Sequence, residues 1–401
     1  MLDINNGDVA FMVITTVLVF FMTPGLAFFY GGLMEKKDSL TMMFYSFMAV
    51  GIVTVMWVLG GFSMVFGSDI GGIIGDPTQY FMLQHMDFSI NPNYGSKIPF
   101  LMFFMYQLMF AIIVAPLMTG AFAGRMSPGN WIKMLVLWML LIYFPVAHWV
   151  WGGGFLSQLG FVDYAGGTVI HVTAGFSSLM AILFLGKRLE IPKRNYGNMN
   201  LVLIGFAILL FGWFGFNSGG ALDSGEKAAI AFTNTGIAAG FSTVVWMIIA
   251  YCFQHKFSMV ELATGAVAGL ATITPAAGYV SPQFSALIGI IAAIVCYFCV
   301  QGLKYCKVDD ALGVWGVHGM GGFTGTLLIG LFADPMINGV SLGGKQFLIQ
   351  LVGVVFVVIY SMFCTWIILK LISLTSSLKV SDKIQKEGLD QAYMKENDHI
   401  Q

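Results

Sequence analysis

The sequence predicts an all-α polytopic membrane protein, with eleven transmembrane helices arranged as an inverted 5+5 repeat. Three observations carry this prediction. The 401 residues are 58% hydrophobic and only 10% charged, with a mean hydropathy of +0.83, well outside the range of soluble domains. Apolar runs long enough to cross the hydrocarbon, which takes about 20 helical residues, can be drawn eleven times. A pattern beginning at Asp163 returns at Asp310.

The spans expected from hydropathy are 9–33, 40–66, 99–123, 131–151, 165–186, 200–219, 227–253, 260–275, 283–303, 312–333 and 346–372. The eighth, rich in Gly, Ala and Thr, carries the weakest signal. Lys and Arg set the orientation. Counting loops alternately from an external N-terminus leaves only Lys97, Lys227 and Lys345 outside, while the turns holding Lys36 and Lys37, Arg125 and Lys133, Lys187 to Arg194, Lys256, and Lys304 and Lys307 fall inside with the tail. This places the protein in the cell membrane with a cytoplasmic C-terminus. Residues 1–378 form the transmembrane domain, with repeat halves at about 9–186 and 200–333 and an extra helix at about 346–372. The segment 67–98 reads as an external folded cap, and for the polar tail, 379–401, composition favours disorder over a regulatory contact. Met1 to Asp8 lacks the basic flank of a secretory signal, so no cleaved leader is expected.

A net charge of −1 gives no reason to expect nucleic acid. Five cysteines, an odd number set in or beside apolar runs, argue against a disulfide framework. Cys296 and Cys299 read as packing rather than a metal or redox pair, and no metal or cofactor is expected.

In the repeat, Asp163, Gly166, His171, Gly175 and Phe176 answer to Asp310, Gly313, His318, Gly322 and Phe323. Five crossings separate the copies, so they start on opposite sides of the membrane. Eight residues of helix rise about 12 Å, against about 15 Å from boundary to midplane, so both histidines reach the centre. Ionisable groups at that depth are costly and usually line a pathway. Each Asp is also placed to cap its helix. Glu261 is the one conspicuous acid inside a span, and a pore without a stable charge partner suits a small neutral molecule or an ion that gives up its proton. Trp151, Phe216 and Phe110 form an aromatic cluster on the outer half, able to hold a small cation or serve as an interfacial belt. An enzyme using the His pair would lack a nucleophile, metal cluster or acidic site nearby, so no enzyme activity is expected.

These motifs, FMTPGLAFFYGG at Phe21, AHWVWGGG at Ala147, DYAGGTVIH at Asp163, GWFGFNSG at Gly212, GAVAGLATITPAAGY at Gly265 and VHGMGG at Val317, resemble the Amt branch of the Amt/Rh ammonium transporter family. The resemblance implies the ammonium transporter fold, a homotrimer with one pore per subunit, ammonium and ammonia as substrates, and a PII-type cytosolic regulator at the tail. It implies roles too: Phe110, Trp151 and Asp163 at an external recruitment site, Phe110 and Phe216 as a stacked gate, and His171 and His318 as twin pore histidines. The chain departs from the family at Gly220, where a recruitment Ser is usual, with Ser218 a candidate substitute. It departs also at Gly124, Gly313 and Glu261, and after Glu387-Gly388-Leu389-Asp390 the usual His-Gly-Glu is absent. An ammonium sensor signalling through the tail is the alternative function.

Overall fold

The computed structural model describes residues 3–189 and 196–396. Lys193 and Arg194, part of the expected basic turn, lie outside the described residues, as does the end of the tail. Nine described helices are long and apolar enough to span a bilayer. They are α1 (Asn6–Leu33), α2 (Lys36–Phe66), α3 (Phe100–Phe122), α4 (Pro128–Leu159), α5 (Gly167–Leu185), α6 (Met199–Ala221), α7 (Glu226–Gln254), α9 (Pro282–Tyr305) and α11 (Gly344–Ser373). Two shorter segments complete the eleven. These are α8 (Met259–Ile273) and α10, which opens as Trp315–Gly319 and continues as Met320–Phe332. The first residues of α1 and the tail lie on opposite sides, called here the N-face and the C-face.

The inverted repeat has its axis between α5 and α10. A β-carbon added to Gly175 would collide with Gly319, and one added to Gly322 would collide with Gly167 and approach His171. Residue numbers fall on one helix as they rise on the other, so the helices run antiparallel. The collision of Gly175 with the His318 turn is matched at the symmetry-related position by that of Gly322 with the His171 turn. Any larger side chain would separate the helices, and with them the histidines. The equivalent α1 and α6 also cross closely, with Gly205 against the backbone of Phe29 and Gly25. Small residues permit such approach in lipid, where packing replaces the hydrophobic drive. Helix α11 braces the outside of α5 and α10, and its buried Gln350 holds both the N–H (3.0 Å) and the carbonyl (2.7 Å) of Val162.

The N-face segment after α2 is a folded cap built on a hairpin of β1 (Asp69–Ile70) and β2 (Ile74–Gly75), with Ile70 opposite Ile74. Trp149 Nε1 donates to Ile73 O at 2.7 Å, tying the cap to α4. The described part of the tail is folded, against the composition. Helices α12 (Asp382–Glu387) and α13 (Leu389–Tyr393) dock on the start of α2. Asp390 accepts from Leu40 N (2.9 Å) and Thr41 N (2.7 Å), capping that helix from 350 residues away, while Leu389 N donates to Asp38 Oδ1 at 2.8 Å. Composition misses this because the contact is made by single carboxylates on backbone amides with only one buried apolar side chain from the two helices, Leu389. Gly124 explains one departure from the family: a side chain there would meet Asp38 Oδ2 at 3.2 Å, so an acid would face the carboxylate that holds the tail.

Candidate functional site

The two central helices begin alike. Asp163 accepts from four backbone amides, Gly166 and Gly167 on Oδ1 (2.8 Å each) and Thr168 and Val169 on Oδ2 (2.7 and 3.1 Å). Asp310 accepts from Val314 and Trp315, both at 3.1 Å. Gly166 (φ 108°) and Gly313 (φ 70°) both take the left-handed conformation, which costs a glycine no steric strain. Each helix then opens with a wide π-type turn, over Gly167–Val172 and Trp315–Gly319, a device that shifts side-chain register and recurs at functional sites. His171 N reaches back five residues to Gly166 O at 3.1 Å.

These turns bring the histidines face to face, with Nδ1 to Nδ1 at 3.3 Å and both rings buried. One Nδ1 must donate and the other accept. With both rings neutral, the donor ring has a bare Nε2 and the acceptor ring an Nε2–H. The pair therefore offers one acceptor and one donor, and His171 Nε2 has no protein partner. Trp213, anchored by Nε1 to Thr274 Oγ1 at 2.9 Å, stacks on His171 at 5.4 Å and lies nearly parallel to His318 at 6.5 Å. The cavity beside the pair, walled by Leu26, Ile113, Leu209, Trp213 and Val267, holds about 20 Å³, space for one water-sized molecule.

Above it, on the N-face side, the Phe110 and Phe216 rings lie 4.4 Å apart and close the path, each almost wholly buried. Tyr106 Oη donates to Phe216 O at 2.9 Å. Beyond the phenyl pair a vestibule of about 290 Å³ opens, lined by Phe110, Trp151, Asp163, Tyr164, Gly220 and Lys227 among others. Trp151 meets Phe110 edge to face at 6.1 Å, and its Nε1 donates to Asp163 O at 2.8 Å.

The structure thus brings Phe110, Trp151 and Asp163 together on one wall, sets Phe216 beneath them and His171 with His318 below that. It does not bring Ser218 to the vestibule: its Oγ donates to Phe214 O at 2.6 Å and is not part of the lining. A side chain at Gly220 would meet the Tyr164 ring and carbonyl at 3.1 Å, so Tyr164 fills the space that a serine would use. Tyr106, Tyr164, Trp213 and Lys227 escaped the sequence reading. Trp213 and Tyr164 had a signal, their places inside GWFGFNSG and DYAGGTVIH. Glu261 lies away from the site, held by Trp246 Nε1 (2.8 Å) and Gln254 Nε2 (2.9 Å), with its own N–H on Ser258 Oγ, so it closes the first turn of α8. Among the described residues no cluster of His, Cys, Asp or Glu could hold a metal.

The fold and this site define a class: a polytopic membrane protein with a vestibule, an aromatic constriction and a small apolar cavity at the axis of an inverted repeat. The chain belongs to the ammonium transporter family, matching the Ammonium Transporter Family over residues 10–399. It is 43% identical to an ammonium transporter of Aquifex aeolicus over 96% of this chain and 91% of that protein. It is 38% identical to the ammonium transporter Amt1 of Archaeoglobus fulgidus, over 96% and 97%. Among solved structures, Candida albicans Mep2 superposes with a TM-score of 0.86 at 35% identity, covering 92% of this chain and 84% of that one. A structure described as "Sensor Amt Protein" gives 0.89 at 28% identity, over 97% and 98%.

Proposed function

We propose that the protein carries ammonium into the cell, taking it up as a cation at the vestibule and passing it through the pore as ammonia, with its proton transferred separately. The observation that carries this reading is the succession of environments along one line. A roomy aromatic vestibule gives way to a phenyl constriction, then to a cavity of about 20 Å³ whose polar side chains include two neutral-capable imidazoles. Ring faces bind a small cation by about 0.5 to 2 kcal/mol. An unpaired cation in an apolar cavity costs far more than that, whereas neutral ammonia needs only the donor and acceptor that the His pair offers. Potassium has no proton to leave behind, so the same cavity excludes it.

With Lys and Arg concentrated toward the C-face, that face is cytoplasmic and the vestibule opens to the exterior of the plasma membrane. A homotrimer and a PII-type regulator at the docked tail belong to the same proposal. A second reading, an ammonium sensor with little flux, is favoured by the likeness to the sensor structure and by the ordered tail. Proteoliposomes holding the purified protein decide between them. Ammonium-evoked current, absent with potassium and altered in His171→Ala, is the expected result. A change of internal pH without current would mean passage of ammonia alone, and neither signal would overturn transport in favour of sensing.

A further inference from the structure

At the N-face end of α4 the His148 ring is wholly buried, and both of its nitrogens are engaged. Nδ1 lies 2.7 Å from Val65 O and Nε2 lies 2.9 Å from Asp69 Oδ1. A carbonyl oxygen only accepts, and so does an ionised carboxylate. The first contact obliges Nδ1 to carry hydrogen, and the second obliges Nε2 to carry one as well. The pair therefore holds one proton more than a neutral imidazole beside a carboxylate. Asp69 is fixed in turn by Gly72 N (2.9 and 3.0 Å to its two oxygens) and by Gln158 Nε2 at 3.4 Å. Three elements surround the ring: the end of α2, the β1–β2 hairpin and the glycine turn after Trp151. Among the described residues only the hairpin brings an ionisable side chain to it, Asp69.

His148 stands three residues before Trp151 on the same helical stretch, Phe144–Trp151. Beside it, Trp149 Nε1 is bonded to Ile73 O of the hairpin. The helical turn that ends at Trp151 is thus pinned to the cap by adjacent residues, and the indole that walls the vestibule projects from that turn. Loss of the extra proton would leave the Nε2 lone pair facing a carboxylate oxygen, and the attraction would become repulsion.

We propose that His148 and Asp69 form a positioning pair that holds Trp151 in place for the aromatic vestibule. The inference rests on the recruitment reading above. Neither residue touches the substrate; they act through Trp151.

The test is equilibrium binding of labelled methylammonium, itself a strong enough base to stay charged, to the purified full-length protein at neutral pH. Asp69→Ala is expected to weaken binding by ~3-fold or more, a loss the size of a cation–π contact. Asp69→Asn can turn its amide N–H toward a neutral Nε2 while its carbonyl still accepts from Gly72, so it should restore the wild-type affinity, with thermal unfolding showing both variants folded. An Asp69→Ala variant that binds like wild type, or an Asp69→Asn variant as weak as Asp69→Ala, overturns the proposal. Trp151→Ala separates the two readings: equal binding by it and wild type sinks recruitment itself, whereas weak binding by it beside an Asp69→Ala that binds like wild type sinks only the positioning pair.

Discussion

Two formal charges line the vestibule, and they are not equivalent. Asp163 is buried with its oxygens occupied by four amides, so it stabilises the start of α5 and presents little charge outward. Lys227 is exposed in the same lining and bears the sign of the ammonium that the proposed uptake would bring there. At a separation of about 8 Å in water, two unit charges interact by about 0.5 kcal/mol, roughly a twofold effect on affinity. Lys227→Glu reverses a charge, so the KM for ammonium uptake should fall by about fourfold at low ionic strength, with maximal rate unchanged and the effect shrinking in salt. An unchanged KM would show that Lys227 is out of range. The central residues were legible at this scale because the repeat is written in identities: Asp163 and His171 recur at a fixed spacing as Asp310 and His318. Lys227 was not legible as a wall residue, because a vestibule wall is assembled from segments distant in sequence, and Tyr164, though inside DYAGGTVIH, gave no sign of which way its ring would face. Ser218 was not either, since a helical serine chooses between the site and its own backbone by rotamer.

By hydropathy the eighth crossing, α8, is the weak one, although the motif GAVAGLATITPAAGY marks it. At 15 residues it is short, because Thr274 and Pro275 end it beside the start of α5, where a β-carbon on Gly167 would strike Pro275. Hydropathy does not register the π-type turns, yet these aim the histidines. At the C-face, the α9–α10 connection is locked by Asp309, which receives Arg188 Nη2 at 2.7 Å and Nε at 2.9 Å, with Arg125 at 3.6 Å. Burial alone would raise the Asp309 carboxyl, but the hydrogen bonds and charge of Arg188, with Arg125 behind, outweigh it and hold it below the usual carboxylate range. The sign follows by linkage. The stabilisation is present in full above the unfolded carboxylate value and fades as pH falls through the lower, folded one. Asp309→Asn should therefore lower the Tm at neutral pH, by an amount corresponding to about 3 kcal/mol for a broken buried pair, and the gap to wild type should close in strong acid. A gap independent of pH would contradict this.

For the molecule as a whole, the inverted repeat was readable and the docked tail was not. Removing residues 381–401 withdraws Asp390 from Leu40 and Thr41 and Leu389 from Asp38. The loss of an N-terminal cap is worth about 1 kcal/mol, so only a small fall in Tm is expected, while protease access to the connection between α1 and α2 should rise sharply. If that access is unchanged, the tail does not hold the connection in solution. The glycine contacts at the axis have a consequence for kinetics. Inverted repeats commonly work by one half rocking against the other, but here Gly175 and Gly322 leave no slack between α5 and α10, and the histidine pair straddles the same seam. A spindle so joined cannot swing without parting the rings. Throughput should then follow the shallow temperature coefficient of diffusion along a standing path, and should not stall when the bilayer freezes around it.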